Sequence, residues 1–415
     1  MADSNELTLN DAIPYIKNNI NIQNKFVKDD KPCPVIFISG APGIGKSDLL
    51  TQIAEELHMG LNPQYLGTML VEQFGMPLPM LDTKSDFQKW SQPDFFSVDN
   101  LRVKPKVGVP CSKMTVGTHS LDRKIPTTAW EPCEDGPVIL FMDDLHLATK
   151  TIQTYFFQLL TYRSIHNKKM PDNFVMVAAG NRSIDRAGAQ PIMAPIVNRF
   201  YFVDVKATAD DWLKNFAIPK QLRQDVISFI EFYPDLLQSE PLESKPWASP
   251  RSWTYFSDSM NEYEINGKEL NVSEIITLGR GHIGQDYTTK FVEYVKLFSQ
   301  WDPESYLTGR LPLPDIKTLT KIECYTFMSS IVAGLLKNLR SSDFNLKDDS
   351  LMKQVNIVKK IFDLLADHCK EIIPLGMRTL IVSETVSTNQ ALLYYKLVEN
   401  NDKLVDMTKK MLNLN

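Results

Sequence analysis

Residues 34–50 read Pro34-Val35-Ile36-Phe37-Ile38-Ser39-Gly40-Ala41-Pro42-Gly43-Ile44-Gly45-Lys46-Ser47-Asp48-Leu49-Leu50. The first six form a short, unbroken apolar run, the pattern of a strand buried on both faces of a parallel sheet. From Ser47 to Leu57 the apolar positions Leu49, Leu50, Ile53, Ala54 and Leu57 recur with helical period. Between strand and helix lies Gly40-Ala41-Pro42-Gly43-Ile44-Gly45-Lys46-Ser47, a match to GxxxxGK[ST]. In such a loop the glycines let backbone amides turn inward around a phosphate. Lys46 reaches the β- and γ-phosphates, and the Ser47 hydroxyl binds Mg²⁺. The alternative, a glycine-rich turn without a ligand, does not explain why the match falls between a strand and a helix.

Three further apolar runs follow, Pro137–Met142, Phe174–Ala179 and Phe200–Val205, with an amphipathic helix marked by Ile152, Tyr155, Phe156, Leu159 and Leu160. Strands alternating with helices predict a parallel sheet covered on both faces. The run Pro137–Met142 is followed by Asp143-Asp144, about 100 residues after the loop. A carboxylate at a strand end holds Mg²⁺ and the next orients an attacking water. His146 and Lys150 nearby read as ordinary surface residues. Residues 60–136 are rich in Pro and Gly and read as loops, short strands and an insertion.

Taken together, the loop, Phe141-Met142-Asp143-Asp144-Leu145-His146-Leu147-Ala148, the stretch from Met170 to Ala189, Asn198-Arg199-Phe200 and Ser249-Pro250-Arg251-Ser252-Trp253 resemble the AAA+ ATPases of the MoxR family. The resemblance covers roughly residues 30–300 in the right order. It implies a P-loop AAA+ αβα sandwich with a parallel sheet, then an α-helical lid and a C-terminal helical region. The corresponding division is 1–207, with a basic insertion at about 100–130, then 208–300 and 301–415.

It also implies ATP and Mg²⁺ as cofactors and hydrolysis of ATP to ADP and phosphate. Asn181 corresponds to sensor 1, with a helix or turn cap as the bland alternative. Arg199 falls at the arginine-finger position, acting on a neighbouring subunit, against a surface ion pair. Arg186 is a weaker candidate for the same boundary. Arg251 corresponds to sensor 2 on the lid, against an arginine at a helix start. Such proteins form hexameric rings, remodel a protein partner, and often work with a partner carrying a von Willebrand factor A-type domain.

Two features depart from the family. The usual Asp-Glu pair is Asp143-Asp144, and a carboxylate one methylene shorter predicts slow hydrolysis, since about 1 Å of misplacement costs on the order of a hundredfold. The stretch from the helix after the loop to the acid-bearing strand is also long, chiefly around residues 100–130. It carries Arg102, Lys104, Lys106, Lys113, Arg123 and Lys124 against the single acid Asp122. These charges suit a solvated hairpin or a protein contact better than nucleic acid, because no aromatic residues are interleaved for base stacking. A helicase-loader or replication role, or a slow nucleotide-bound scaffold, stays as the alternative.

The whole chain has 415 residues, a net charge of −5, 43% hydrophobic and 23% charged residues. That balance excludes a wholly disordered or globally basic protein. Five scattered cysteines without a CxxC pair argue against a zinc site or disulfide framework and for a reducing cytoplasm. No membrane span or signal peptide is expected.

Overall fold

The structure, a computed structural model, describes residues 6–28, 33–75, 91, 93–97, 101–110, 128–133, 135–166, 168–182, 191–241, 245–265, 270–341, 349–369 and 372–381. It forms two compact units, Met1–Lys206 and Ala207–Asn415.

The first unit runs β1 (Leu7–Thr8), α1 (Leu9–Lys28), β2 (Val35–Gly40), α2 (Lys46–Glu56), β3 (Gly60–Tyr65), β4 (Lys106–Pro110), β5 (Thr128–Pro132) and β6 (Val138–Asp143). It continues with α3 (Lys150–Tyr162), the ribbon β7 (Ser164–Ile165) and β8 (Lys168–Lys169), β9 (Phe174–Gly180), α4 (Ala194–Val197) and β10 (Phe200–Lys206). Six strands form one parallel sheet in the order β1-β10-β2-β9-β6-β3. β9 is therefore inserted between the loop-bearing strand β2 and the acid-bearing strand β6.

In β2, β6 and β9 the apolar runs are continuous because both faces of the strand are covered, whereas in β10 Tyr201, Phe202 and Asp204 are exposed. Val35, Phe37, Val138, Leu140, Met142, Phe174, Met176 and Ala178 share a core with Ile152, Phe156, Leu159 and Leu160 of α3. The alternate residues Ile36, Ile38, Ile139, Phe141, Val175 and Val177 are equally buried on the side of α1 and α2. Phe74, Phe95 and Phe96 complete the α3 side. Phe74 stacks on Tyr155 with ring centroids 4.7 Å apart. This is the expected α/β P-loop class.

The basic insertion begins as an antiparallel hairpin of β4 and β5. Lys113, Arg123 and Lys124 lie outside the described residues, as does Arg186.

The second unit is helical: α5 (Ala209–Trp212), α6 (Gln224–Phe232), α7 (Pro250–Ile265), α8 (Val272–His282), α9 (Gln285–Ser299), α10 (Pro303–Leu307), α11 (Lys321–Ser341), α12 (Asp349–His368) and α13 (Ile373–Ile381). Thr208 caps α5, its hydroxyl accepting from Asp211 N at 3.3 Å. One core runs from Ala209 to Leu380 and crosses residue 300 without a break. No described helix is long and apolar enough to cross a membrane.

Candidate active site

The loop after β2 is shaped by its glycines. Gly45 has φ 107°, in the region that L-residues avoid, and stands directly before α2. It offers no side chain to cap the helix, so the first-turn N–H groups of α2 are left for another acceptor. An exposed N-terminus flanked by glycines is a ready site for a phosphate. Ala41 and Ile44 anchor the loop from beneath, both almost fully buried.

Lys46 is 7% exposed, which is rare for lysine and requires compensation. Its ammonium donates to Gly40 O at 2.8 Å, Ala41 O at 2.9 Å and Asn181 Oδ1 at 2.9 Å. Asn181 directly follows β9, so the inserted strand delivers its amide to the lysine. Ser47 Oγ donates to Asp143 Oδ2 at 2.7 Å, across 96 residues of sequence. Asp143 ends β6 and is buried, and burial pushes its carboxyl above the ordinary range. The hydrogen bond from Ser47 opposes that shift, while the neighbouring Asp144 adds to it. A buried carboxylate facing a hydroxyl is a pair of hard oxygen donors with excess negative charge, which fits Mg²⁺.

Asp144 is half-buried and left-handed, with φ 55° and ψ 40°. Two backbone bonds hold it there. Its N–H donates to Asp143 Oδ1 at 3.0 Å, and its carbonyl accepts from Leu147 N at 2.8 Å. Asp tolerates this conformation better than most residues. That supplies a backbone reason for aspartate here in place of glutamate.

His146 departs from its reading as a surface residue: it is 2% exposed. Asn181 N donates to its Nδ1 at 3.2 Å, and Asn181 Nδ2 lies 3.3 Å from its Nε2. Burial lowers its pKa and Lys46 does the same, against Asp144. Gly180 makes room for the ring. A Cβ there would stand 2.7 Å from Phe37 Cζ and 3.0 Å from His146 Nδ1. No periodicity in the sequence marks these two positions. Lys150 is exposed, as expected.

Arg199 is not brought to this group. Its Nε donates to Thr161 Oγ1 at 2.7 Å, its Nη1 to Pro195 O at 2.6 Å, and its guanidinium lies 4.2 Å from the Phe157 ring centroid. It precedes β10, beside the start of β2, where Val35 N donates to Arg199 O at 3.2 Å. The loop leaves the other end of β2. Six residues at about 3.3 Å each put about 20 Å between them. Arg251 belongs to the second unit, where it is exposed one residue into α7.

No family model matches the chain, and no curated protein matches it. Among solved structures, RuvB from Thermotoga maritima, a Holliday junction branch migration motor, is 13% identical with a TM-score of 0.30, covering 91% of this chain and 90% of that one. A point mutant of the same protein is 14% identical with a TM-score of 0.33, covering 90% of this chain and 89% of that one. A protein described as an ATPase from Cytophaga hutchinsonii is 9% identical with a TM-score of 0.26, covering 95% and 93%. Likenesses this distant carry no weight beside the geometry of the site itself.

Proposed function

We propose that this chain is an AAA+ ATPase. It binds ATP with Mg²⁺ at Gly40–Ser47, hydrolyses it to ADP and phosphate, and acts as a homo-oligomeric ring to remodel or assemble a partner protein. One observation carries the reading. The Ser47–Asp143 and Lys46–Asn181 hydrogen bonds join the carboxyl ends of three neighbouring interior strands, β2, β9 and β6, and each residue there has a role in phosphate chemistry.

When bound, Mg²⁺ would neutralise charge on the phosphates. Ser47 and Asp143 are the residues that would hold it. Lys46 supplies a fixed positive charge, Asn181 a polar amide, and Asp144 a carboxylate able to take a proton from water. Arg199 supplies its guanidinium to a neighbouring subunit, since about 20 Å of strand separates it from its own loop. Arg251 serves as the lid's sensor. Hexamer size and a partner with a von Willebrand factor A-type domain follow from the family resemblance alone, and a cytoplasmic setting from the scattered, unpaired cysteines of the sequence. A slow, long-lived ATP state is the second reading, and Asp144 favours it. Nucleic-acid handling has less support, because Arg102 of the basic stretch already faces Asp48 at 3.4 Å.

Subunit mixing tests the proposal. Arg199→Ala should keep nucleotide binding and lose turnover by on the order of 10³-fold or more. Lys46→Ala subunits, inactive but carrying Arg199, should restore turnover in mixed oligomers. Mixed oligomers that form and never regain activity would exclude the trans role.

A further inference from the structure

The Asn181 backbone N–H donates to His146 Nδ1, so Nδ1 carries no proton. An imidazole that accepts at Nδ1 is neutral with its proton on Nε2, and burial, which lowers its pKa, acts in the same direction. This tautomer is assigned from the hydrogen-bond partners. Nε2 is then a donor, yet the group facing it at 3.3 Å is the Asn181 Nδ2, also a donor. The amide's one oxygen is turned to Lys46 Nζ at 2.9 Å. The Asn181 amide therefore has two competing claims on Oδ1, from an ammonium on one side and an imidazole N–H on the other.

Lys46 keeps two other acceptors, Gly40 O and Ala41 O, so its hold on Asn181 is not its only anchor. A half-turn of the amide puts Oδ1 on Nε2–H and presents NH₂ toward the Lys46 side. That orientation pairs two donors while the ammonium stays, and becomes favourable once the ammonium is drawn off. The histidine is firmly seated for the task. It is 2% exposed, and glycine at position 180 leaves the space the ring occupies.

We propose that His146 is a positioning residue: its Nε2–H captures Asn181 Oδ1 when Lys46 leaves it, turning the amide from an acceptor for the lysine into a donor for the group that took the lysine's place. This deepens the ATP-site reading and rests on it. The same histidine–asparagine pair then reports the position of Lys46 to the turn that carries Asp144.

The first test needs no nucleotide. In protein labelled with ¹⁵N-histidine, assigned by the signal lost in His146→Asn, His146 should be neutral with its proton on Nε2. In Lys46→Met the Nε2–H should become hydrogen-bonded and exchange more slowly. A proton on Nδ1, an imidazolium at neutral pH, or unchanged exchange in a folded Lys46→Met protein would each overturn the proposal.

The second test uses variants. His146→Asn keeps an acceptor near the Nδ1 position and lacks the far donor. His146→Gln carries a donor toward the Nε2 position. His146→Asn should bind ATP within about twofold of wild type and lose kcat by about 10- to 100-fold, with His146→Gln recovering part of it. Adding His146→Asn to Asn181→Ala should produce little further loss, because the histidine acts through the asparagine. Additive losses, or wild-type kcat in His146→Asn, would remove the role. If wild type binds no ATP, the ATP-site reading fails and this proposal with it. If wild type binds and turns over ATP while the losses add, only the His146 role fails.

Discussion

Replacing Asp144 with Glu restores the side chain that the resembled family carries, and the structure argues that this chain would be worse for it. Asp144 sits at φ 55° and ψ 40°, inside the left-handed region. That conformation costs an L-residue roughly 1–2 kcal/mol, and Asp is found there several-fold more often than most residues. A several-fold preference corresponds to about 1 kcal/mol, which is the stability Asp144→Glu should lose. The turn cannot relax cheaply. Rotating φ away breaks the bond from Leu147 N to Asp144 O at 2.8 Å or the bond from Asp144 N to Asp143 Oδ1 at 3.0 Å. Asp144→Asn tolerates the same backbone, so it should stay as stable as wild type while losing the carboxylate.

Urea denaturation with single-turnover ATP hydrolysis separates the two effects. Asp144→Asn should unfold with the wild-type midpoint and hydrolyse nothing measurable. Asp144→Glu should unfold earlier and gain no turnover. An Asp144→Glu protein as stable as wild type and faster would refute the backbone argument and show that reach alone limits the reaction. An Asp144→Asn protein with full turnover would remove Asp144 from the chemistry.

Glu231 in the second unit is buried, which pushes its carboxyl up to about 8 against the pull of Arg378 and of Tyr325, whose hydroxyl donates to it at 2.9 Å. The folded chain thus holds a proton that the unfolded chain releases. Stability should fall as pH rises from about 4.5 to about 8, by up to about 1.4 kcal/mol per pH unit, and Glu231→Gln should abolish that component. Identical pH dependence of melting in both proteins would contradict it. Gly180→Ala should lower both stability and turnover, because its Cβ would press to 2.7 Å from Phe37 Cζ and 3.0 Å from His146 Nδ1. A wild-type melting temperature in that variant would count against the tight seat.

The parts legible in the sequence were those with short-range causes. β2, β6 and β9 announce themselves as apolar runs because both of their faces are covered, β10 does so although its Tyr201 and Phe202 are exposed, and the loop glycines carry their own conformational requirement. β3 did not, since Gly60-Leu61-Asn62-Pro63-Gln64-Tyr65 contains a proline, which a central strand rarely accommodates, and β3 is an edge strand. His146 was misread for a different reason. Its burial depends on β9 lying between β2 and β6, an ordering that brings Asn181 beside it and leaves no local trace. The positive φ of Asp144 is likewise set by the turn's hydrogen bonds and not by residue type alone. In the second unit, helical periods were visible, but the packing that joins Trp253 and Phe291 to Tyr325 and Phe362 in one core is long-range.

The central claim is that Gly40–Ser47 holds the phosphates of ATP, and calorimetric titration of ATP with Mg²⁺ tests it most directly. Wild type should bind, and Lys46→Ala, checked for folding by its melting curve, should bind more weakly by at least about 1.5–3 kcal/mol, the strength of a charge-assisted contact. Equal affinity in the two proteins, or no binding by wild type, would contradict the account.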